Sequence, residues 1–334
     1  MSNRAAHSWI LRQRPEGMVD DDTLEYVTRD VPALQDGQVL VRTQFLSLDA
    51  TNRIWMSDMK SYLPPVAIDD PMRGVIFGEV EESRSDAMPV GTTVTGLGTW
   101  SDRFVADAAS LSAIPPLDGV DPSQAFALSS AGPTAMVGLK EIGGMKGGET
   151  VVVSAAAGSV GILVGQIAKA ADCRVIGIAG GPEKCAMLTE EFGFDAAVDY
   201  KNEKVANRLG ELAPDGIDIL FENVGGKILD ASLANMKNFG TIVLCGLISS
   251  YNATEPVPGP YHFSEIVMRR LNVRGFIVMD HMDTIPAAMM ELFGLVMQGK
   301  VKMPTEIVDG LENAPRTLNQ LYTGGNVGKL MIRV

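Results

Sequence analysis

Short apolar segments separated by turn signals occupy the first part of the chain. Between about residues 8 and 125 they include Trp9-Ile10-Leu11, Val39-Leu40-Val41 and Val75-Ile76-Phe77. Turn signals that contain Gly or Pro stand between them, as at Asp36-Gly37 and Pro115-Pro116. Apolar runs of strand length bounded by such signals predict a mostly β domain.

After Gln124 apolar strands alternate with segments of helical period. The predicted strands are Thr150–Ser154, Arg174–Ala179, Ala196–Val198, Ile217–Phe221, Thr241–Cys245 and Val273–Ile277. Helices are predicted up to Gly138 and over Val160–Ala171, Pro182–Phe192 and Met282–Gln298. This alternation indicates a doubly wound parallel sheet, so the fold class is α/β. The last strand-like segment, Lys329–Val334, is expected to return to the first domain.

Length and composition exclude several classes of protein. A chain of 334 residues exceeds the usual size of one hydrophobic core, so two domains are expected. The net charge of -13 disfavours nucleic acid and anionic membranes as partners. Neither a membrane-spanning apolar run nor a signal peptide is evident, which favours a cytoplasmic location. The odd cysteine count and the lack of a CxxC pair predict three buried, reduced thiols, Cys173, Cys185 and Cys245.

A dinucleotide-binding turn is predicted after the strand Thr150–Ser154. The turn has the form A-x-G-x-x-G, with Ala156 at the first glycine position, followed by Gly158 and Gly161. Gly158 would let a pyrophosphate approach the backbone, and Gly161 would allow close helix–strand packing. The following helix would offer its free N–H groups to the phosphates.

The end of the next strand favours NADPH over NADH. An NAD site usually places Asp or Glu there to bind the ribose 2′-hydroxyl, but this chain reads Gly177-Ile178-Ala179-Gly180-Gly181. Lys184 follows and is a candidate ligand of a 2′-phosphate, the alternative being a surface lysine on a helix.

Zinc ligands are missing from the sequence. The chain has three histidines, His7, His262 and His281, and no cysteine before residue 173. Where a zinc-dependent alcohol dehydrogenase would read G-H-E-x-x-G, the segment is Met72-Arg73-Gly74-Val75-Ile76-Phe77-Gly78-Glu79-Val80. A metal-independent reaction is therefore predicted, and hydride addition to an activated double bond fits it better than alcohol–carbonyl interconversion.

These features carry a family resemblance along essentially the whole chain. The most specific segments are Val151–Gln166, Ile178–Cys185, Phe221–Gly226 (FENVGG), Cys245–Asn252 (CGLISSYN) and Asn326–Leu330 (NVGKL). They resemble the prostaglandin reductase, leukotriene 12-hydroxydehydrogenase and curcumin reductase branch of the medium-chain dehydrogenase/reductase superfamily. The resemblance implies a GroES-like catalytic domain of residues 1–125 and 300–334, a Rossmann NADP(H)-binding domain of residues 126–299, and a homodimer. Members of this branch reduce small enones and enals with NADPH.

The resemblance also implies a set of cofactor-binding residues. Gly180, Lys184 and Tyr200 would surround the adenosine 2′-phosphate, and Asn223 the nicotinamide ribose. The remaining expected contacts are Thr134, Ala156, Gly158, Val160, Gly161, Cys245, Gly246, Phe276, Ile277, Val278, Asn326 and Gly328. Met136 and the segment Asp49-Ala50-Thr51-Asn52-Arg53 depart from the family pattern, which bears on the shape of the substrate pocket.

Two tyrosines are candidate catalytic residues. Tyr251 follows the fifth strand of the predicted sheet, whose carboxyl end should open onto the site, and Tyr62 lies in a turn-rich stretch of the first domain. A protonated tyrosine can donate a hydrogen bond to a developing enolate oxygen. Loop packing with a surface hydroxyl is the alternative for each.

The leading hypothesis is thus an NADPH-dependent alkenal/one reductase. A quinone reductase of the same superfamily would need the same cofactor site without a defined proton donor. A non-catalytic NADPH-binding structural protein would bind the cofactor and show no turnover. The sequence leaves open the physiological substrate, the face of hydride transfer, and whether a tyrosine or a cofactor hydroxyl holds the enolate.

Overall fold

A computed structural model describes residues 5–114 and 121–334. The Pro115-Pro116 turn signal lies outside the described residues. The chain divides into two compact units, a first unit of Met1–Ser130 with Thr305–Val334 and a second unit of Ala131–Pro304.

Fifteen strands and ten α-helices are described. The strands are β1 Ala5–Leu11, β2 Leu24–Asp30, β3 Gln38–Ser47, β4 Arg73–Ser83, β5 Thr93–Thr99, β6 Arg103–Asp107, β7 Leu111–Ala113, β8 Thr150–Ser154, β9 Arg174–Ala179, β10 Ala196–Asp199, β11 Ile217–Glu222, β12 Met236–Leu244, β13 Asn272–Gly275, β14 Thr305–Asp309 and β15 Lys329–Arg333. The helices are α1 Thr51–Trp55, α2 Pro122–Val137, α3 Ser159–Ala170, α4 Pro182–Glu190, α5 Val205–Leu212, α6 Gly226–Leu233, α7 Glu265–Met268, α8 Ile285–Met297, α9 Ala314–Leu318 and α10 Gln320–Thr323.

The first unit is built on a seven-stranded sheet of order β14-β15-β3-β4-β5-β7, with β6 also paired to β3. β15 runs antiparallel to β3, with Met331 opposite Ser47, so the last strand of the chain belongs to this sheet. The core contains the fully buried Trp100 and Leu46. Gly74 makes this packing possible, since a Cβ there would lie 2.7 Å from both side chains.

The second unit is a six-stranded parallel sheet of order β10-β9-β8-β11-β12-β13. The apolar runs that predicted its strands are buried in β8, β9 and β11, as expected for a parallel sheet covered by helices. The chain runs outward from β8 to β10 on one side and from β11 to β13 on the other. The carboxyl ends of β8 and β11 therefore flank the topological switch point, where this class of sheet binds ligands.

The structure confirms the α/β fold class and corrects several element bounds, most of them by one to three residues. The corrections at β12 and β13 have a structural cause. β12 begins at Met236 and ends at Leu244, whereas Thr241–Cys245 was expected. The early start includes Phe239 in the left-handed region (φ 66°), a conformation that apolar periodicity does not reveal. β13 ends at Gly275, and a 3₁₀ turn over Val278–His281 follows it, so Phe276 and Ile277 lie beyond the strand.

The cysteines differ from the expectation of three buried thiols. Cys173 is buried, whereas Cys185 and Cys245 keep part of their surface exposed because each lies near the carboxyl edge of the sheet. Within residues 5–114 and 121–334, no helix has both the length and the apolar character needed to cross a membrane.

Candidate cofactor and active site

A tight turn between β8 and α3 leaves the N-terminus of α3 without a side-chain cap. Ala155 adopts a left-handed conformation (φ 47°), and Gly158 caps α3 in extended backbone without any side-chain cap. A Cβ at Gly161 would lie 2.4 Å from the Ala155 oxygen and 2.8 Å from the Ala156 Cα. Glycine at position 161 therefore lets the helix approach the turn, and the first N–H groups of α3 can donate to phosphate oxygens.

Asn223 links the two strands at the switch point. Its backbone N–H donates to Ser154 Oγ at 2.7 Å, and its Nδ2 donates to the Ser154 oxygen at 2.8 Å. Ser154 is the last residue of β8, and Asn223 directly follows β11. These two bonds fix the position of Asn223 where a bound dinucleotide would cross the sheet. The sequence patterns did not single out Ser154 as a site residue. A signal was present, because Ser154 is the one residue with a hydroxyl group between Val153 and Gly158.

The β9–β10 edge brings together two of the residues expected at the 2′-phosphate, Gly180 and Tyr200. A Cβ at Gly180 would lie 2.9 Å from Tyr200 Oη, so the glycine lets the tyrosine ring pack across the strand end. Lys184 is partly exposed in the first turns of α4. The Cε of Lys201 would lie 3.0 Å from the same Cβ at Gly180. Lys201 is thus a second cation at this edge, and the sequence motifs did not indicate it.

Asp199 holds this edge in shape. One carboxylate oxygen accepts the N–H groups of Gly181 (2.8 Å) and Lys201 (3.0 Å), and the other accepts Asn202 Nδ2 (2.6 Å). Burial by itself raises the pKa of Asp199, but these hydrogen bonds, with that from Asn202 foremost, lower it below the ordinary value. Both oxygens of the Asp199 carboxylate are thus hydrogen-bonded to groups of this strand edge. Lys184 and Lys201 supply positive charge on the adjacent surface.

The loop after β12 folds back, so that the Tyr251 side chain lies near the carboxyl end of β12. The Leu247 N–H donates to Tyr251 Oη at 3.0 Å, and a Cβ at Gly246 would lie 3.2 Å from the same oxygen. Gly246 therefore leaves room for the phenol beside the carboxyl end of β12. Although residue Cys245 as a whole is partly exposed, its thiol is surrounded by protein, and this burial raises the pKa of the thiol to about 12, so the cysteine is neutral.

The remaining predicted contacts of the second unit flank α2. Thr134 is partly exposed and follows Pro133 inside that helix. A Cβ at Gly138 would lie 2.7 Å from Phe276 Cζ, so the segment after β13 packs directly against the end of α2. Ile277 and Val278 continue this segment and remain partly exposed.

In the first unit Tyr62 lies in the loop between α1 and β4 and is 40% exposed. Its hydroxyl is 2.5 Å from the hydroxyl of Thr51, the residue that stands in the segment departing from the family pattern. Arg73 lies near Tyr62, stacks on Trp55 (5.6 Å) and donates to the Pro64 oxygen (2.9 Å). The tyrosine is thus bounded by a hydroxyl and a guanidinium.

An ion pair between the buried Lys329 and the partly exposed Asp49 joins the C-terminal motif to the segment before α1. Lys329 is 1% exposed, and its Nζ donates to Asp49 Oδ1 at 2.5 Å. The Asp49 N–H in turn donates to Asn52 Oδ1 (2.8 Å), and Asn52 Nδ2 donates to the Arg73 oxygen (3.3 Å). This chain of bonds connects the strand after Asn326 and Gly328 to the neighbourhood of Tyr62. Asn326 itself donates from Nδ2 to the Gly328 oxygen at 3.2 Å.

No group of three or more His, Cys, Asp or Glu side chains placed to bind a metal ion occurs in the part of the chain that the structure describes.

The two units and the switch-point site define a dinucleotide-binding oxidoreductase fold. Residues 7–114 match the family described as the N-terminal domain of oxidoreductase, and residues 159–294 match the family described as zinc-binding dehydrogenase. The chain is 42% identical to the NADPH-dependent curcumin reductase of Escherichia coli, over 98% of this chain and 96% of the relative. It is 38% identical to a 2-alkenal reductase (NADP(+)-dependent) of Nicotiana tabacum, over 89% and 87%.

A solved structure of CurA from Vibrio vulnificus in complex with NADPH is similar over 98% of this chain and 99% of the other, with 38% identity and a TM-score of 0.92. The chain therefore belongs to the medium-chain dehydrogenase/reductase superfamily, in the branch of the curcumin and prostaglandin reductases.

Proposed function

We propose that this chain is an NADPH-dependent reductase of the carbon–carbon double bond of α,β-unsaturated ketones and aldehydes, acting without zinc. The observation that carries the proposal is the intact switch-point site, built from Asn223, Ser154 and the Gly158–Gly161 turn. It occurs in a chain that matches an NADPH-dependent curcumin reductase and a 2-alkenal reductase along most of its length. We assign the second unit as the cofactor domain and the first as the catalytic domain.

The residues of the second unit fit NADP(H). The uncapped N-terminus of α3 and the space above Gly158 suit a pyrophosphate. Among the described residues beyond its own helix and chain neighbours, the Ala155 oxygen alone lies within 4 Å of a Cβ built at Gly158. Lys184, Tyr200 and Gly180 would hold the adenosine 2′-phosphate, and we add Lys201 to this group. Asn223, Cys245, Gly246 and the Phe276–Val278 segment would lie along the nicotinamide end, and Thr134 would add a contact from the same unit. Asn326 and Gly328 of the first unit stay predicted cofactor contacts on the family resemblance alone.

Bound NADPH supplies the hydride that the β-carbon of the enone accepts. The chain has to stabilise the negative charge that then develops on the carbonyl oxygen. We assign this role to Tyr251. Its oxygen accepts the Leu247 N–H, and this bond polarises the phenol so that its O–H group becomes a stronger hydrogen-bond donor. Tyr62, backed by Thr51 and Arg73, is the second candidate.

We also propose a homodimer that forms along β13. Among the described strands β13 pairs with β12 alone, and all four of its residues are exposed. An open, exposed edge strand presents free N–H and C=O groups to another strand. Large exposed apolar side chains lie on the same unit: Phe239, Tyr261, Phe263, Val267 and Val273. A monomer by light scattering at micromolar concentration would contradict this part alone.

A substrate panel tests the proposed activity most directly. NADPH oxidation is followed by absorbance with enones, enals, simple ketones and quinones, and the products are identified by mass. Saturated ketones and aldehydes are the expected products. Turnover confined to quinones would favour the quinone reductase, and NADPH binding without any turnover would favour a non-catalytic role.

A further inference from the structure

The carboxyl group of Glu222 is buried at the switch point. Glu222 ends β11 and is 0% exposed. Its Oε1 accepts the N–H groups of Val224 and Gly225, both at 2.6 Å. Its Oε2 is also buried and has no hydrogen-bond partner within the described residues. A buried carboxylate oxygen without a partner is costly, and such groups are rare in folded proteins.

Glu222 shapes the turn that carries Asn223. The two N–H bonds to Oε1 close the turn through Gly225 and Gly226, which both have positive φ values (79° and 53°). The Glu222 main-chain oxygen accepts the N–H groups of Cys245 (2.9 Å) and Gly246 (3.2 Å). One residue thus joins the Asn223 turn to the loop that leads to Tyr251.

No cation faces this carboxyl group among the described side chains around it. The titratable neighbour is Cys245, the residue directly after β12, whose thiol is neutral, and the neighbour from β8 is the hydroxyl of Ser154. Burial raises the pKa of Glu222 to about 7, against the lowering effect of the Gly225 and Val224 N–H groups. The Ser154 side chain lowers it further, although no hydrogen bond of ordinary geometry joins it to Oε2.

We propose that Glu222 is a positioning residue that takes up a proton when the anionic cofactor binds at this edge of the sheet. The inference rests on the proposed NADPH site. A second negative charge brought near a buried carboxylate favours its neutral form. The proton comes from solvent and goes to Oε2, the oxygen without a partner. Oε1 keeps both backbone hydrogen bonds, so the Asn223 turn retains its shape in the neutral state.

Calorimetric titration with NADPH measures the proton directly. Binding heats at about pH 7.5 are compared in two buffers of different ionisation enthalpy. We expect the wild-type protein to take up roughly half a proton or more, and Glu222→Gln to take up none beyond the exchange of the NADPH 2′-phosphate, which both proteins share. Wild-type NADPH affinity should weaken up to about tenfold between pH 6.5 and 8.5 relative to the variant.

A matched control is Asp199→Asn, which neutralises the other buried carboxylate at the same edge of the sheet. It should leave the proton uptake at pH 7.5 unchanged. A protonated-carboxyl infrared band that appears on NADPH addition to the wild-type protein tests the proposal without any variant. Equal uptake by the wild type and Glu222→Gln, or NADPH binding without uptake, would overturn the inference alone. Absence of NADPH binding to the wild type would overturn the proposed cofactor as well.

Discussion

Two carboxyl groups lie at the carboxyl edge of the same parallel sheet, Asp199 at the end of β10 and Glu222 at the end of β11. Asp199 is 7% exposed and covered by its own loop, and three hydrogen bonds divide between its two oxygens. Glu222 is fully buried, and both of its hydrogen bonds fall on one oxygen. The pKa of Asp199 is lowered, whereas burial raises that of Glu222 to about 7.

The difference shows that the depth of burial and the distribution of donors decide the charge state of these groups. At the ends of β9 and β10, Asp199 stays negatively charged, and Lys184 and Lys201 supply positive charge nearby. Charges that do not change near neutral pH suit a constant ionic contact with a 2′-phosphate. At the end of β11, burial raises the pKa of the Glu222 carboxyl group to about 7, and the Glu222 main-chain oxygen accepts N–H groups of the loop that leads to the proposed catalytic Tyr251. Single substitutions at either end test this division between a fixed and a responsive charge.

Replacing Glu222 with Gln should remove a pH dependence of stability. The folded-state pKa of about 7 lies above the ordinary value of 4.5, so folding favours the protonated form. The stabilising contribution is fully present below pH 4.5 and is lost as the pH rises through 7. The free energy of unfolding of the wild type, relative to Glu222→Gln, should fall by on the order of 3 kcal/mol across this window.

Urea unfolding of both proteins at a series of pH values measures this change. Asp199→Asn is the control with the opposite sign, because a lowered pKa gives stability above pH 3.8 that is lost on acidification. A constant difference between the wild type and Glu222→Gln from pH 4.5 to 8 would show that Glu222 does not titrate in this range.

Tyr251→Phe should lower turnover with an enone by roughly tenfold to a few hundredfold. The variant keeps the ring and loses the hydroxyl that would stabilise the enolate oxygen, so NADPH affinity should change little. Steady-state kinetics, with NADPH binding followed by fluorescence, separates the two effects. Tyr62→Phe is the matched variant in the first unit. Loss of turnover in Tyr62→Phe with full turnover in Tyr251→Phe would mean that the donor is misassigned.

Lys184→Ala should raise the Michaelis constant for NADPH at least about tenfold and leave that for NADH almost unchanged. The variant loses one charge-assisted contact to the 2′-phosphate, which NADH lacks. Kinetics with both cofactors tests this, and Lys201→Ala shows how far the second lysine shares the contact. Equal effects on NADPH and NADH would assign Lys184 to the fold or to a shared phosphate.

Removal of metal ions should not change the rate of enone reduction. The sequence lacks the Cys and His ligands of the zinc-dependent relatives, so dialysis against a strong chelator should leave enone turnover unchanged. The same assay before and after dialysis measures this. Activity that is lost on dialysis and restored by zinc would contradict both the mechanism and the assignment of the tyrosine.

Much of the second unit followed from local sequence. Apolar runs and helical periods predicted its six strands, and Ala156, Gly158 and Gly161 predicted a tight turn between β8 and α3, whose role in cofactor binding stays a prediction. Periodicity failed where the chain left regular geometry, as at Phe239 in β12 and at the end of β13. The roles of Tyr251, Tyr62 and Lys184 remain predictions, because a motif identifies a residue type at a position and leaves its contact with a ligand to experiment.

The order of strands and helices, the small-residue turn and the lack of zinc-ligand motifs could be predicted from the chain alone, since each depends on residues close together in it. The burial of Glu222 with one unpartnered oxygen, the bridge from Asn223 to Ser154 and the pairing of Lys329 with Asp49 became visible in the folded chain. Desolvation and hydrogen bonding depend on which distant segments surround a group. The charge states at the site are therefore properties of the folded sheet, although the residues that carry them are fixed by the sequence.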